Sequence, residues 1–289
     1  MKQSNIKEYF KPASLEEAIS ILRDYEGNIK IIAGGTDLFT VDHTDVDALV
    51  DITKIGLNYI KEESGLIKIG GATTLKEIEK SEIIKTRLES LFEASMVFAD
   101  NTVRNTATIG GNICNSLPST DSVPPIYAAG AVYVIQTPFG EKKVNIEDFT
   151  ISAKKNILNK DEILTEIQIP LCEGRYGTSF EKAMRNSEDL ALVNCSAFIE
   201  VDEDDKVKEA RVALGTVGPT VVRPKKFEDA LIGLKLDDED VVNELSKLVL
   251  ESISTRTSIR TTKEYRSHMA KVFSKRTVLK AYERAVRNN

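Results

Sequence analysis

Tryptophan is absent from the 289 residues, histidine occurs twice and cysteine three times. These scarcities remove several chemistries at once. His43 and His268 are too few for a histidine-rich metal centre or for a Cys–His nucleophile system. Cys114, Cys172 and Cys195 lie far apart and form no C-x-x-C or C-x4-C-x2-C run, so the chain lacks the ligand spacing of a zinc or iron–sulfur site. No apolar run is long enough to span a bilayer, and the opening MKQSNIKEYFKP lacks the apolar stretch of a secretory signal, which predicts a cytoplasmic protein without membrane insertion. Lys and Arg total 39 against 45 Asp and Glu, and the formal charge of -6 argues against a nucleic-acid surface. Whatever chemistry occurs here must be carried by something the chain binds.

What is present reads as a folded chain of mixed α/β texture. A hydrophobic content of 41% at this length supports a sizeable core and one large or two ordinary domains. SLEEAISIL sets Ser14 three residues before Glu17, a capping-box spacing, and Leu15, Ala18, Ile19 and Leu22 fall on one helical face. NIKIIAGG and DALVDIT read as short strands. LIKIGGATTLKEIEKS repeats strand then helix, with a capping box at Thr74 and Glu77, and its Gly70 and Gly71 read as a plain strand-to-helix turn. Residues 83 to 99 read as helical. Pro124 and Pro125 suit the first turn of a short helix, where a missing N–H costs nothing. AVYVIQTPFGEKKVNIEDF reads as a hairpin, and DEILTEIQIP as a strand stopped by Pro170.

The turn-rich LCEGRYGTS marks a candidate boundary. Beyond it, CSAFIEVDEDDKVKEARVALGTVG reads as a hairpin with an acidic tip, and the remainder is mainly helical. In LDDEDVVNELSKLVLESI, Val241, Leu245, Leu248 and Ile253 supply a buried face; in the last helix Tyr265, Met269 and Val272 do the same.

Two glycine pairs, in IIAGGTDL and TIGGN, each stand at the end of an apolar run. Glycine permits both the dihedrals and the close approach by which consecutive backbone N–H groups cradle a phosphate. Neither pair belongs to G-x-G-x-x-G or to G-x-x-x-x-G-K-[ST], and each taken singly reads better as a tight turn. Their surroundings add chemistry. The Thr36 hydroxyl can donate to a phosphate oxygen, Asp37 can fix the turn, and Thr108 and Asn112 bracket the second pair. Asp121, repelled by phosphate, suits either a sugar hydroxyl or the N-cap of the proline-started helix.

IIAGGTDL taken together with RNTATIGGNICNSLPSTDSVPP resembles the paired FAD-binding motifs of the flavoprotein subunits of molybdenum hydroxylases, the xanthine dehydrogenase and carbon monoxide dehydrogenase group. FEKAMRNSEDLALV, GPTVVRPKKFEDALIG and EYRSHMAKVFSKRTVLKAYE resemble successive blocks of that family's C-terminal domain, so the likeness covers almost the whole chain. It implies an α+β protein. An FAD-binding domain of the PCMH type over residues 1–173, built from two α/β subdomains at roughly 1–56 and 57–173, would precede a small domain of antiparallel sheet plus helices at 174–289. The resemblance places Ile31, Ile32, Ala33, Gly34, Gly35, Thr36, Asp37 and Leu38 in one pyrophosphate loop and Thr108, Ile109, Gly110, Gly111 and Asn112 in the other. It adds Phe98, Asp121, Leu164 and Lys182 as further FAD contacts. For Phe98 and Leu164 the competing reading is core packing, and for Lys182 a solvated charge.

By the same resemblance the chain is the FAD-carrying electron-transfer subunit of an oxidoreductase complex, with no catalytic side chain of its own. FAD is held non-covalently, since neither loop contains histidine. A large molybdopterin-binding subunit and a small 2Fe–2S subunit are the implied partners, and NAD is a candidate electron acceptor. Lys182 and Arg185 are basic groups available to an anionic reduced flavin, with an inter-domain ion pair as the other reading of Arg185. Cys114 stands where the family commonly shows a small residue and reads as a small packing group. The alternatives are a stand-alone flavin-dependent reductase or oxidase and a non-enzymatic α/β binding module.

Overall fold

The computed structural model describes residues 6–38 and 45–288; His43 lies outside them. Strand β1 (Glu8–Phe10), helix α1 (Leu15–Asp24), β2 (Ile29–Ile32) and β3 (Ala48–Asp51) form a small parallel sheet in the order β1-β3-β2, covered by α1. Ile31 pairs with Val50, and Tyr9 pairs with Leu49 on the other side of β3. Ser14 caps α1 by accepting from Glu17 N, but the Glu17 carboxylate takes Ala13 N rather than Ser14 N, so only half of the expected capping box closes.

The middle of the chain runs through β4 (Ile60–Glu63), β5 (Leu66–Gly70), α2 (Leu75–Lys80), α3 (Glu82–Arg87), α4 (Glu89–Met96), α5 (Asn101–Arg104), α6 (Ile109–Cys114), α7 (Val123–Ala128), β6 (Val132–Thr137), β7 (Gly140–Asn145), α8 (Ile146–Phe149), β8 (Thr150–Ser152), β9 (Lys155–Asn156) and β10 (Ile163–Pro170). Its sheet is antiparallel in the order β4-β5-β10-β6-β7. Thr74 and Glu77 complete both halves of their capping box at the start of α2. Pro124 and Pro125 occupy the first turn of α7. Residues 83 to 99 do not form one helix. Leu88 leaves helical geometry, at φ -146° and ψ 65°, to bury its side chain in the core, and α4 starts again in a new direction.

The last part contains β11 (Arg175–Ala183), β12 (Val193–Val201), β13 (Val207–Gly215), α9 (Lys225–Leu231), α10 (Glu239–Leu245), a 3-10 segment (Ser246–Glu251) and α11 (Lys263–Arg287). The antiparallel sheet runs β11-β12-β13, and the central strand is buried at every position. Two expected faces are displaced. Val242, Ser246 and Val249 are buried while Val241 stays exposed, so the i, i+4, i+7 stripe is shifted by one residue from the expected one; Leu245, Leu248 and Ile253 only flank the core. In α11 the buried line holds Ala270, Phe273, Thr277 and Ala281, whereas Tyr265 is exposed and Met269 and Val272 pack at the margin. Small side chains let this helix approach the sheet closely. Ser179 Oγ donates to Thr277 O at 2.7 Å, and a Cβ on Gly177 would collide with the Ala281 carbonyl.

Helix α4 joins the two larger parts. Ser90 N donates to Thr178 Oγ1 at 3.0 Å, Phe180 N to Glu93 Oε2 at 2.8 Å, and Arg284 Nη2 to Glu93 Oε1 at 2.6 Å. Burial works against the charge on Glu93, but Arg284 and Lys280 outweigh it and hold the carboxyl below its ordinary pKa. This interface places the C-terminal sheet beside the segment that follows α4.

Candidate cofactor site

A cavity of about 620 Å³ opens between the end of β2 and the start of α6. Every residue from Ile31 through Leu38 lines it, as do Phe98, Thr108, Gly110, Gly111, Asn112 and Leu164. The two glycine pairs therefore border one space, which their separation in sequence does not reveal. Ile109, Asp121 and Lys182 lie outside the wall; Ile109 is fully buried in the core that α6 shares with β5 and β10.

The loops meet through bare backbone. A Cβ on Gly34 would collide with the Thr106 carbonyl, and one on Gly110 would collide with the Gly71 carbonyl. Gly35 has φ +70°, which a non-glycine L-residue adopts only at a cost of about 1–2 kcal/mol. Gly71 is thus more than the simple turn its sequence suggests. It lines the cavity and supplies the surface on which the second loop packs.

The loops differ in what they offer a ligand. Among the described residues, the N–H groups of Gly34, Gly35 and Thr36 donate to no protein group, and the Thr36 hydroxyl has no partner. A turn in which successive N–H groups stay unpaired beside a cavity is an anion cradle. In the second loop those donors are already engaged: Ile109 N with Thr73 O at 2.9 Å, Gly110 N with Gly71 O at 2.9 Å, and Gly111 N with Thr108 Oγ1 at 3.1 Å. Its available donor is a side chain. Asn112 Oδ1 accepts from the Ser122 hydroxyl at 2.7 Å and from Thr120 Oγ1, which leaves the amide NH2 as the free end.

Residues that sequence reading did not single out complete the wall. Lys30, Lys154 and Lys160 also border the cavity and bring positive charge to it. Lys160 Nζ is anchored on Tyr25 O at 2.6 Å, and Lys154 sits in the turn between β8 and β9 with φ 64°. A lysine at positive φ in a two-strand turn carries no local pattern that announces a site. Ile52, Leu158 and Ile163 add apolar surface. Cys114 borders the cavity as well, and burial pushes its thiol up to about 12, so it remains protonated and packs as a small apolar group.

Asp121 is not the helix N-cap that its sequence allowed. Ser122 holds the N-cap position of α7, and Asp121 is buried against the C-terminal sheet. Its Oδ2 accepts from Lys182 Nζ at 2.7 Å and its Oδ1 from Asn194 Nδ2 at 2.9 Å. Burial pushes the carboxyl above its ordinary range, and the Lys182 charge and the Asn194 amide pull it back. Lys182 is accordingly no solvated charge, its side chain being 2% exposed. Among the described residues, Arg185 pairs with Asp189 within its own loop and not across the domains.

Open backbone donors on the first loop, the Asn112 amide on the second, a basic rim and an apolar wall fit a dinucleotide with a pyrophosphate centre, and with a two-part α/β domain followed by an antiparallel sheet they define a class, the FAD-binding flavoproteins. Family comparison narrows the class. Residues 3–172 match the FAD binding domain in molybdopterin dehydrogenase, and residues 178–281 match the CO dehydrogenase flavoprotein C-terminal domain. The chain belongs to this family of molybdenum hydroxylase FAD subunits, which are oxidoreductase components, and its cofactor is FAD.

The xanthine dehydrogenase FAD-binding subunit of Escherichia coli O157:H7 is 31% identical over 284 residues, covering 94% of this chain and 95% of that one. The carbon monoxide dehydrogenase medium chain of Hydrogenophaga pseudoflava is 29% identical, covering 96% and 97%. A solved structure of the carbon monoxide dehydrogenase from the same organism superposes with a TM-score of 0.92 over 98% of this chain and 99% of that one, at 29% identity. Quinoline 2-oxidoreductase from Pseudomonas putida 86 gives 0.90 at 26% identity, over 99% of each chain.

Proposed function

We propose that this chain is the electron outlet of a three-part hydroxylase: a large molybdopterin subunit oxidises the substrate, a small 2Fe–2S subunit relays electrons singly, and this chain passes them to NAD or another soluble acceptor. The observation that carries the reading is the single cavity built from both glycine loops, with unpaired N–H groups on one side and the Asn112 amide on the other. Bound FAD supplies the change between one-electron and two-electron transfer.

The protein's share is binding and orientation. Gly34, Gly35 and Thr36 offer backbone donors and the Thr36 hydroxyl to phosphate oxygens, and Lys30 and Lys154 offset their charge. Phe98 and Leu164 close the apolar side of the wall. Asp121 and Lys182, the further FAD contacts that the resemblance implies, pair with each other beside that wall. Medium chains of relatives such as carbon monoxide dehydrogenase carry the assembly in their names, which supports the multi-subunit reading.

Purification from its native host tests both halves. The chain should be yellow, release its flavin on acid precipitation, and co-purify with a molybdopterin subunit and an iron–sulfur subunit. Bleaching of that flavin by NADH would support the acceptor assignment. A colourless chain that takes up no FAD sinks the cofactor site, and an FAD-loaded chain that turns over substrate alone sinks the outlet role.

A further inference from the structure

Arg266, in the first turn of α11, is 6% exposed and ties three separate segments together. Its Nη1 donates to Leu192 O and, at 3.2 Å, to Thr216 O, and its Nη2 donates to Ser258 Oγ at 3.1 Å. Among the described residues no carboxylate pairs with it, and its buried Nε has no acceptor. The loop that it anchors carries two more arginines. Ser258 Oγ also accepts from Arg260 N at 3.2 Å, and residues 252–262 contain Arg256 and Arg260 but no Asp or Glu, in a chain of formal charge -6. Neither arginine forms an ion pair with a described residue. Burial first, then the charges of Arg256 and Arg260, lower the Arg266 pKa, which marks the free-energy cost of gathering like charges here. The patch stands beside the cofactor cavity. Thr216 N donates to Pro118 O at 2.8 Å, next to Leu117 of the cavity wall, and Arg260 acts on Asp189, which Arg185 holds in the loop that follows β11. Ile259, next to Arg260 in the chain, is fully exposed, and Leu190 and Tyr265 are exposed on the adjoining segments.

We propose that this arginine patch is the landing surface for the electron acceptor, and that the acceptor is a small acidic electron-carrier protein rather than a dinucleotide. The inference rests on the outlet reading above and chooses between its acceptors. A dinucleotide needs a concave site that buries most of its surface. An apolar side chain projecting beside unpaired cations instead matches a protein interface, with an apolar centre, a charged rim and charge steering the encounter. An acidic partner offsets the charges that this loop collects and does not balance. Returning the two-electron-reduced cofactor to its oxidised form gives one electron to each of two carrier molecules in succession and its protons to water.

The native complex, reduced with stoichiometric dithionite, is mixed in a stopped-flow instrument with rubredoxin, a small acidic one-electron carrier, and separately with basic cytochrome c. Calorimetric titration of the oxidised complex with zinc-substituted rubredoxin, which carries no electron, gives a Kd independent of turnover. The second-order rate with rubredoxin should fall as ionic strength rises. Arg256→Glu combined with Arg260→Glu should slow it about tenfold or more at low salt, raise the Kd for zinc-substituted rubredoxin by a similar factor and speed the reaction with cytochrome c. FAD content, subunit composition and melting temperature should stay as in the wild type. A rubredoxin rate indifferent to salt and to the double substitution, an equal loss with both carriers, or no binding of zinc-substituted rubredoxin overturns the proposal. So does loss of a subunit from the double variant, which would make the patch an interface inside the complex. A wild-type complex that holds no FAD would instead overturn the outlet reading.

Discussion

One methyl group at Gly34 should separate the two halves of the cofactor site. A Cβ there collides with the Thr106 carbonyl oxygen, stands 2.5 Å from the carbon of that group and 3.0 Å from Ala107 Cα. Neither obstacle is the free end of a flexible side chain, so one backbone must retreat. The segment at 106–107 is the firmer: Thr106 N and Ala107 N donate to Val103 O at 3.0 and 2.7 Å, and Ala107 O accepts from Leu75 N at 2.9 Å. The loop is the softer, since the N–H groups of Gly34, Gly35 and Thr36 make no bond to described residues. The loop therefore moves. Overpacking of this kind costs about 1–3 kcal/mol when the original geometry is enforced, and the apoprotein escapes most of that by letting the loop relax. Binding then has to restore the position, which draws about 1–3 kcal/mol from affinity and raises the FAD Kd about 5- to 150-fold. Fluorescence-quenching titration of apo Gly34→Ala with FAD measures the first quantity, and thermal unfolding without FAD measures the second. An unchanged Kd beside a melting temperature lower by several degrees would refute the reasoning, because it would make Gly34 a requirement of the fold and not of the site.

Lys154→Glu should weaken FAD binding several-fold at low salt, with the gap to wild type shrinking as ionic strength rises, because a rim charge is screened over about 10 Å at 0.1 M; parallel titrations at two salt concentrations check it. Burial pushes the thiols of Cys114 and Cys195 up to about 12 and raises that of Cys172, so Ellman's reagent at pH 8 should react slowly with the native protein and fully once denaturant is added. For Glu93 the folded pKa is depressed by Arg284 and Lys280 against the pull of burial, so its stabilising contribution is present above the unfolded value near about 4.3 and is lost as pH falls through the lower folded value. Glu93→Gln should accordingly cost about 1–3 kcal/mol at pH 7 in urea unfolding and progressively less as the pH drops below about 4. Val242→Ala should cost about 2 kcal/mol, and Val241→Ala less than about 0.5 kcal/mol; near-equal costs would contradict the placement of α10.

Much of the fold can be read from local pattern because local forces decide it. The capping box at Thr74 and Glu77, the prolines at 124 and 125 and the polar tip between β12 and β13 each act within a few residues. Reading fails where tertiary packing overrides the local signal. No glycine or proline marks the break at Leu88; the side chain turns inward because the core at that point needs it. The buried face of α10 is turned by one residue, so that Ser246 rather than a larger apolar side chain lies between Val242 and Val249, and that of α11 is displaced by the close approach its small residues permit. In both helices the apolar residues were visible, but the phase of the buried stripe was set by the neighbouring element.

The same division separates what was legible at the site from what was not. Glycine pairs at strand ends, supported by family resemblance, point to both loops, and the structure brings them to one cavity. A glycine pair does not say whether its N–H groups remain free. In TIGGN they are taken up by Thr73, Gly71 and Thr108, two of which belong to a strand-to-helix turn far upstream, and the ligand-facing role passes to the Asn112 amide. In IIAGGTDL those of Gly34 and Gly35 make no bond to described residues. Similarly, Asp121 suits an N-cap in sequence, and no local pattern reveals the lysine 61 residues away that holds it. A motif thus identifies where backbone can approach a ligand, whereas the choice of donor depends on which carbonyls the rest of the fold has already brought to the same place.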